Sequence, residues 1–317
     1  MNLDVNQFGR VGVLMGGCSS EKKISIKSGE AVLKALKESG VTAMPVVIES
    51  ENDAVNEEKI AGAGIDVAFI AMHGRYGEDG GIQTLLEKMV IPYAGSGPEA
   101  SRRAINKAVT QQMLRRTGLP VADFIVVKRE QLSSLPQLMK VFNNGPVVVK
   151  PVSQGSSIGV HIVHQPADLN GAVSDAFQYD QEILIEKFIH GRELTVGILA
   201  DKALPVVEIR TKSEFFDYEA KYQKGMTEYI VPAELNPETA GTIQEAALKV
   251  FRVIGCRDFS RIDFLLSDCE QPYILEVNTI PGFTGTSLLP MAANCAGLDF
   301  QQLCLTLVGM ALDRAAI

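Results

Sequence analysis

The residues best suited to chemistry lie in two short stretches, RIDFLL (261–266) and ILEVNTIPGFTGTSLLP (274–290). Both begin as strands, and strand side chains alternate between two faces. Arg261 and Asp263 therefore share a face, as do Glu276 and Asn278. The intervening SDCEQP is rich in turn formers, which predicts an antiparallel hairpin with Leu266 opposite Tyr273. In that register Asp263 faces Glu276 and Arg261 faces Asn278. Like charges directly opposed destabilise a sheet. Two carboxylates and an amide oxygen on one patch are the donors of a hard cation, and suit Mg²⁺ shared with substrate phosphates. A solvated strand face is the plain alternative. The segment that follows favours the metal: TIPGFTGTS brings Pro281, Gly282, Gly285 and the hydroxyls of Thr284, Thr286 and Ser287 directly after the carboxylates.

The elements that must position this face begin at the other end of the chain. RVGVLM (10–15) reads as a buried strand, GGCSSE follows, and a helix is predicted over 22–39. PVVI and VAFIAM (67–72) are further strands. This βαβ alternation predicts a parallel sheet with helices on both faces, whose ligands bind beyond the carboxyl ends of its strands. Two loops sit at those ends. One closes on Glu21, and the other, HGRYGEDGG, carries His73, Glu78 and Asp79. A lone His at a strand end is commonly structural, but four glycines and three charges in one loop point to binding.

Further along, a helix over 101–117 carries Lys107. PVVVKPVSQGSSIGVHIV (146–163) reads as two strands, the first ending on Lys150. The SQGSSIG loop between them, with Gly155, Gly159 and three hydroxyls, can lie over phosphates and offer backbone N–H groups. Strands over 182–189, 190–199 and 203–209, a helix over 237–254 and a C-terminal helix complete an α/β chain that becomes α+β after its first part. Residues 213–232 show no hydrophobic period and read as a long loop of the kind that forms lids. GSGPEA (95–100) matches a dinucleotide fingerprint, with Asp123 downstream. Pro98 after Gly97 suits a helix start without any ligand, so a nicotinamide-dependent dehydrogenase is only the runner-up.

Bulk properties narrow the field. The 317 residues suffice for roughly two or three domains. A hydrophobic share of 46% supports a packed core. Net charge is −8 with no basic tract, which argues against a nucleic-acid partner. The five cysteines form no CxxC pair, as expected of free thiols in a reducing compartment. No apolar run has the length of a membrane span, and MNLDVNQFGR lacks the regions of a signal peptide, so a cytoplasmic protein is expected.

Taken together, GGCSSEKKISIKSG, HGRYGEDG, IPYAGSG, VVVKPVSQGSSIGV, IEKFIHGRELTVGIL, DYEAKY, RIDF and EVNTIPGFTGTSLLP resemble, in order and over residues 11–290, the D-alanine:D-alanine ligases of the ATP-grasp superfamily. The resemblance implies three domains, here 1–97, 98–187 and 188–317, with ATP between two antiparallel sheets. It implies ATP phosphates on Lys107 and Lys150 under a loop containing Ser156. Glu186, Lys187 and Ile189 would lie along the adenine, and Glu193 would take the ribose. Asp263, Glu276 and Asn278 would hold two Mg²⁺ ions, with Mn²⁺ as a substitute.

For the amino-acid substrates, Glu21 would bind the first D-alanine's ammonium with His73 nearby. Arg261 and the Gly282 N–H would face the developing oxyanion. Ser287 and Lys221 would hold the second D-alanine's carboxylate. Tyr222 would close the lid through Ser156 and Glu21. The implied activity is D-alanyl-D-alanine synthesis through an acyl phosphate, for peptidoglycan, by a cytoplasmic homodimer whose partners are small molecules. D-Lactate or D-serine as second substrate is the alternative. The chain departs from the family's pattern at Asn106, where an Asp is usual, at Gln111, where a Lys is usual, and in the more basic Ser101-Arg102-Arg103.

Overall fold

The structure is a computed structural model that describes residues 5–143, 145–211 and 227–315. The chain opens with β1 (Val11–Gly16), α1 (Lys22–Glu38), β2 (Ala43–Ile48), α2 (Asp53–Ala63), β3 (Val67–Ile70) and α3 (Gly81–Lys88). The three strands form a parallel sheet in the order β2-β1-β3. Every residue of β1 is buried, because helices cover both faces as predicted. Val32 and Leu36 of α1 pack on the side of Val13 and Phe69, whereas Ile60 of α2 and Leu85 of α3 pack on the side of Leu14 and Ile70.

The single helix expected over 101–117 is two, α4 (Pro98–Ile105) and α5 (Lys107–Arg116). Asn106 breaks it with an extended ψ of 97°, and its side chain accepts from the Val109 N–H at 3.0 Å. An Asn that caps one helix cannot continue the one before it. The break places Lys107 at the first position of α5, where its N–H donates to the Val152 carbonyl at 2.8 Å.

Next come β4 (Phe124–Lys128), α6 (Leu135–Leu138), β5 (Val147–Pro151), β6 (His161–Val163), α7 (Leu169–Tyr179) and β7 (Glu182–Lys187). Their strands make an antiparallel sheet in the order β4-β7-β5-β6. The third group is β8 (Gly191–Leu199), β9 (Lys202–Ala203), β10 (Val207–Thr211), β11 (Thr227–Ile230), α8 (Pro237–Ile254), β12 (Phe259–Ser267) and β13 (Pro272–Asn278). These strands form a separate sheet, β11-β10-β8-β12-β13, with β9 on β8. Strands 182–189 and 190–199, contiguous in sequence, thus belong to different sheets. Gly191 allows the change: a Cβ there would meet the Leu266 carbonyl oxygen at 2.1 Å.

Two expectations fail here in part. Within 213–232, Thr227–Ile230 pairs with β10 as a strand, because the TEYI side chains suit an edge that a neighbour supplies. The C-terminal helix is two, α9 (Leu288–Cys295) and α10 (Phe300–Ala315). α10 returns to the first sheet, where Leu303, Leu307 and Val308 join the core of Val13 and Phe69. Arg314 seals that return by forking onto Asp258 at 2.7 and 2.8 Å, while Asp258 accepts from the Gly95 N–H at 2.8 Å.

Asn106→Ala removes the cap of α5 and is expected to lower stability by about 1 kcal/mol in urea unfolding.

Candidate active site

The two antiparallel sheets enclose a cavity of about 620 Å³, within the range of small-molecule sites. On the larger sheet, alternation sends Leu194, Val196, Ile262 and Phe264 into the core beneath α8, and turns Glu193, Thr195, Arg261 and Asp263 the other way. On the smaller sheet, Lys150 and Glu186 point in from β5 and β7. Of the residues predicted from the sequence, Lys107, Lys150, Glu186, Lys187, Ile189, Glu193, Asp263 and Glu276 line this cavity. Asn278 lines a second, smaller one that shares Lys107 and Glu276 and reaches Glu78 and Gly155.

The hairpin register is as predicted at the site and shifted away from it. Arg261 pairs with Asn278 and Asp263 with Glu276, but Leu266 pairs with Pro272, not with Tyr273. The one-residue shift falls between Asp263 and Phe264.

The expected repulsion between Asp263 and Glu276 is answered within the protein. Arg261 grips Asp263 with two bonds of 2.8 and 2.7 Å, Thr195 donates to it at 2.6 Å, and the Asn278 amide at 3.0 Å. Lys107 lies 3.4 Å from Glu276 and donates to the Gln154 carbonyl at 2.6 Å. Burial disfavours the Arg261 charge, but Asp263 more than offsets it, so its pKa lies above the ordinary value. Asp263, Glu276 and Asn278 are hard oxygen donors on one patch. They include two carboxylates, and among the described residues no cluster of three or more His, Cys, Asp or Glu side chains forms a cage. That donor set fits an ion completing its shell with phosphate and water oxygens. Asp263 already accepts four hydrogen bonds.

Lys150 and Glu186 form a 2.5 Å ion pair with both side chains buried. The loop after Lys150 bends through Ser156 and Ser157, both at positive φ (52° and 58°), a region most residues avoid. The bend delivers the Ser156 hydroxyl to the Glu21 carboxylate at 2.5 Å. Glu21 stands at the N-terminus of α1, and Ser19 beside it donates to the His73 carbonyl at 2.8 Å.

His73 is buried behind them. Its Nδ1 donates to the Ile280 carbonyl at 3.1 Å and lies 3.6 Å from Glu78, and its Nε2 is 3.1 Å from the Ser28 hydroxyl. Burial pushes the imidazole pKa down, but Glu78 and then Glu21 push harder, and the net direction is upward. Burial raises the Glu78 carboxyl against the opposing pull of His73. Ser28 also accepts from the Phe283 N–H at 3.2 Å, which ties the Gly282 loop to α1. Ser287 turns its hydroxyl onto the Thr284 N–H at 3.0 Å. Lys221 and Tyr222 lie outside the described residues.

Two contributors escaped the sequence reading. Thr195 sits in GRELTVGIL as an ordinary strand former, and only pairing across 68 positions brings it to Asp263. Glu78 was visible as a loop charge, but its contact with His73 was not.

The N-terminal part matches the family model described as D-ala D-ala ligase N-terminus over residues 10–63 and 51–96, and residues 113–309 match that of the D-ala D-ala ligase C-terminus. The chain belongs to the D-alanine–D-alanine ligase family. It is 46% identical to a D-alanine–D-alanine ligase of Geotalea uraniireducens over 96% of both chains. The crystal structure of D-alanine–D-alanine ligase from Bacillus anthracis superposes with a TM-score of 0.86 at 36% identity, covering 97% of this chain and 99% of that one. The same ligase complexed with ATP gives a TM-score of 0.83 at 33% identity, with the same coverage. This ligase family accounts for the paired sheets, and the antiparallel sheets facing one another have the ATP-grasp arrangement.

Lys150→Ala strands the buried Glu186 charge and is expected to cost about 3 kcal/mol in chemical denaturation, with part recovered when Glu186→Gln is added. A second expectation concerns His73. By proton NMR its imidazole should titrate above 6.5, and Glu78→Gln should lower that value. The stability linked to a raised His is complete below pH 6.5 and fades as pH rises through the folded value. Glu78→Gln should flatten that slope.

Proposed function

We propose that this chain is an ATP-dependent ligase that joins two D-alanines into D-alanyl-D-alanine, releasing ADP and phosphate. The observation that carries the reading is the cavity between the two sheets, lined by Lys107, Lys150, Asp263 and Glu276 and adjoined by a second cavity that reaches Gly155, beside Glu21. The chemistry requires this combination. A carboxylate is a poor electrophile, so a D-alanine carboxylate oxygen attacks the γ-phosphorus of ATP, the bridging bond to the β-phosphate breaks, and ADP leaves. The second D-alanine's amine then attacks the carbonyl carbon of the acyl phosphate, loses a proton, and phosphate departs.

Lys107 and Lys150 bring positive charge to the phosphates without reorganising, since Gln154, Glu276 and Glu186 already hold them in place. Glu186, Lys187 and Ile189 would border the adenine, and Glu193 the ribose. Asp263, Glu276 and Asn278 would hold Mg²⁺, which neutralises charge on the transferring phosphoryl group. Arg261 and the Gly282 N–H would face the oxyanion. Glu21, with His73 and Glu78 behind it, offers negative charge to the first ammonium, and Ser287 would meet the second carboxylate. An acyl phosphate hydrolyses in water, so the Ser156 loop over Glu21 would help exclude it. The proposed units are 1–97, 98–187 and 188–317. The proposed compartment is the cytoplasm, and the dipeptide would supply peptidoglycan.

The decisive assay measures phosphate and dipeptide together. ATP, Mg²⁺ and D-alanine should yield them in equal amounts, and absence of dipeptide would overturn the reading. Glu276→Gln should remove nearly all turnover while circular dichroism stays unchanged; near-normal activity at low Mg²⁺ would remove Glu276 from the metal site.

A further inference from the structure

Gln111 has no part in the roles assigned above, yet it is 1% exposed and points at the strand that carries Glu276. It lies one helical turn beyond Lys107 on α5, so the two side chains leave the same face of the helix. Lys107 reaches Glu276 itself. The Gln111 amide nitrogen donates to two consecutive backbone carbonyls of β13, Ile274 at 3.0 Å and Leu275 at 2.9 Å.

Consecutive carbonyls of a regular strand point to opposite edges, and one side-chain nitrogen does not reach both. They converge here because β13 carries an extra residue. Asp263 pairs with Glu276 and Phe264 with Ile274, which leaves Leu275 over. This is a β-bulge. It resets the alternation of faces: Ile274 and Val277 are both buried in the core beneath α8, whereas Leu275 and Glu276, neighbours in sequence, are both only half-buried on the cavity side. Without the bulge, a strand that buried Ile274 would bury Glu276 too. Among the described residues β13 is the last strand of its sheet, and no further strand meets its outer edge. The Pro120 carbonyl takes the Ile274 N–H there, and Gln111 takes the two carbonyls. The Gln111 Oε1 is buried without a hydrogen-bond partner among the described residues.

We infer that Gln111 is a positioning residue: by bonding the Ile274 and Leu275 carbonyls it holds the bulge that turns Glu276 toward Asp263 and the phosphate-binding cavity. The inference deepens the ligase reading and rests on it for the purpose of that face. The test compares Gln111→Leu and Gln111→Met, which lack donors, with Gln111→Lys, which keeps them. Three measurements are made: amide hydrogen exchange across 272–278 in the metal-free protein, Mn²⁺ affinity in the presence of ATP by electron paramagnetic resonance, and KM for D-alanine against kcat.

The apolar variants should exchange faster across 272–278 and bind Mn²⁺ about tenfold or more weakly, as supporting partners of metal ligands typically do when lost. Their kcat should fall while KM for the first D-alanine stays near that of the parent. Gln111→Lys should keep parent-like exchange and Mn²⁺ affinity. Parent-like behaviour in a folded apolar variant would overturn the inference, as would a Gln111→Lys protein impaired like the apolar ones. Should neither apolar variant fold, the Lys variant decides by the same criteria. Dipeptide synthesis by the parent protein tests the ligase reading separately.

Discussion

A carboxylate that is 5% exposed needs partners, and Asp263 has four donor atoms on it. An unpaired charge at that depth would be far more costly than any single contact around it. The donors come from Thr195 on β8, Arg261 on β12 and Asn278 on β13, so satisfying one charge fixes three strands relative to one another. A slip of one residue in either pairing would turn Asp263 or its donors into the core. Lys107 adds the fourth element, reaching Glu276 from α5. Register and charge balance are here the same constraint.

The opposite wall obeys a similar rule with fewer parts. Lys150 and Glu186 pair across adjacent strands of the smaller sheet, each making the other's burial tolerable. The two walls belong to sheets joined through 188–190, where Gly191 brings the chain against Leu266. The cavity thus has charges fixed on each wall and a boundary made by the junction between them. Lys107 and Lys150 are thus held in place by carboxylate partners before anything enters the cavity.

Beyond the cavity, the glycine-bearing loops are held by buried polar links, not by hydrophobic packing alone. His73 joins Ile280 and Ser28, Ser28 joins Phe283, and Ser156 joins Glu21. These links connect the parallel sheet's loops to segments from both later sheets. They explain how residues from 21 to 287 converge without one long element crossing the molecule. α10 completes the arrangement by packing on the first sheet, with Arg314 clamped on Asp258.

Much of this was legible in the residues. The βαβ pattern, the helix over 237–254, the strands around SQGSSIG and the facing of Asp263 with Glu276 all follow from periodicities of two and 3.6 residues acting locally. So did the residue types of the site, since carboxylates, lysines and glycines announce their chemistry wherever they occur. The break at Asn106 was less visible, because an Asn can cap a helix or sit within one, and the Val152 carbonyl and the capped Val109 N–H decide between them. The bulge at Leu275 was invisible: ILEVN alternates well enough as a plain strand, and only the competing demands of the core on Ile274 and Val277 and of the cavity on Glu276 require an extra residue. Local order and the inventory of charges were properties of the sequence. Which charges meet, and what supports them, depended on contacts between residues as distant as Thr195 and Asp263 or Gln111 and Leu275, because burial and pairing are enforced by neighbours that the chain brings together only when folded.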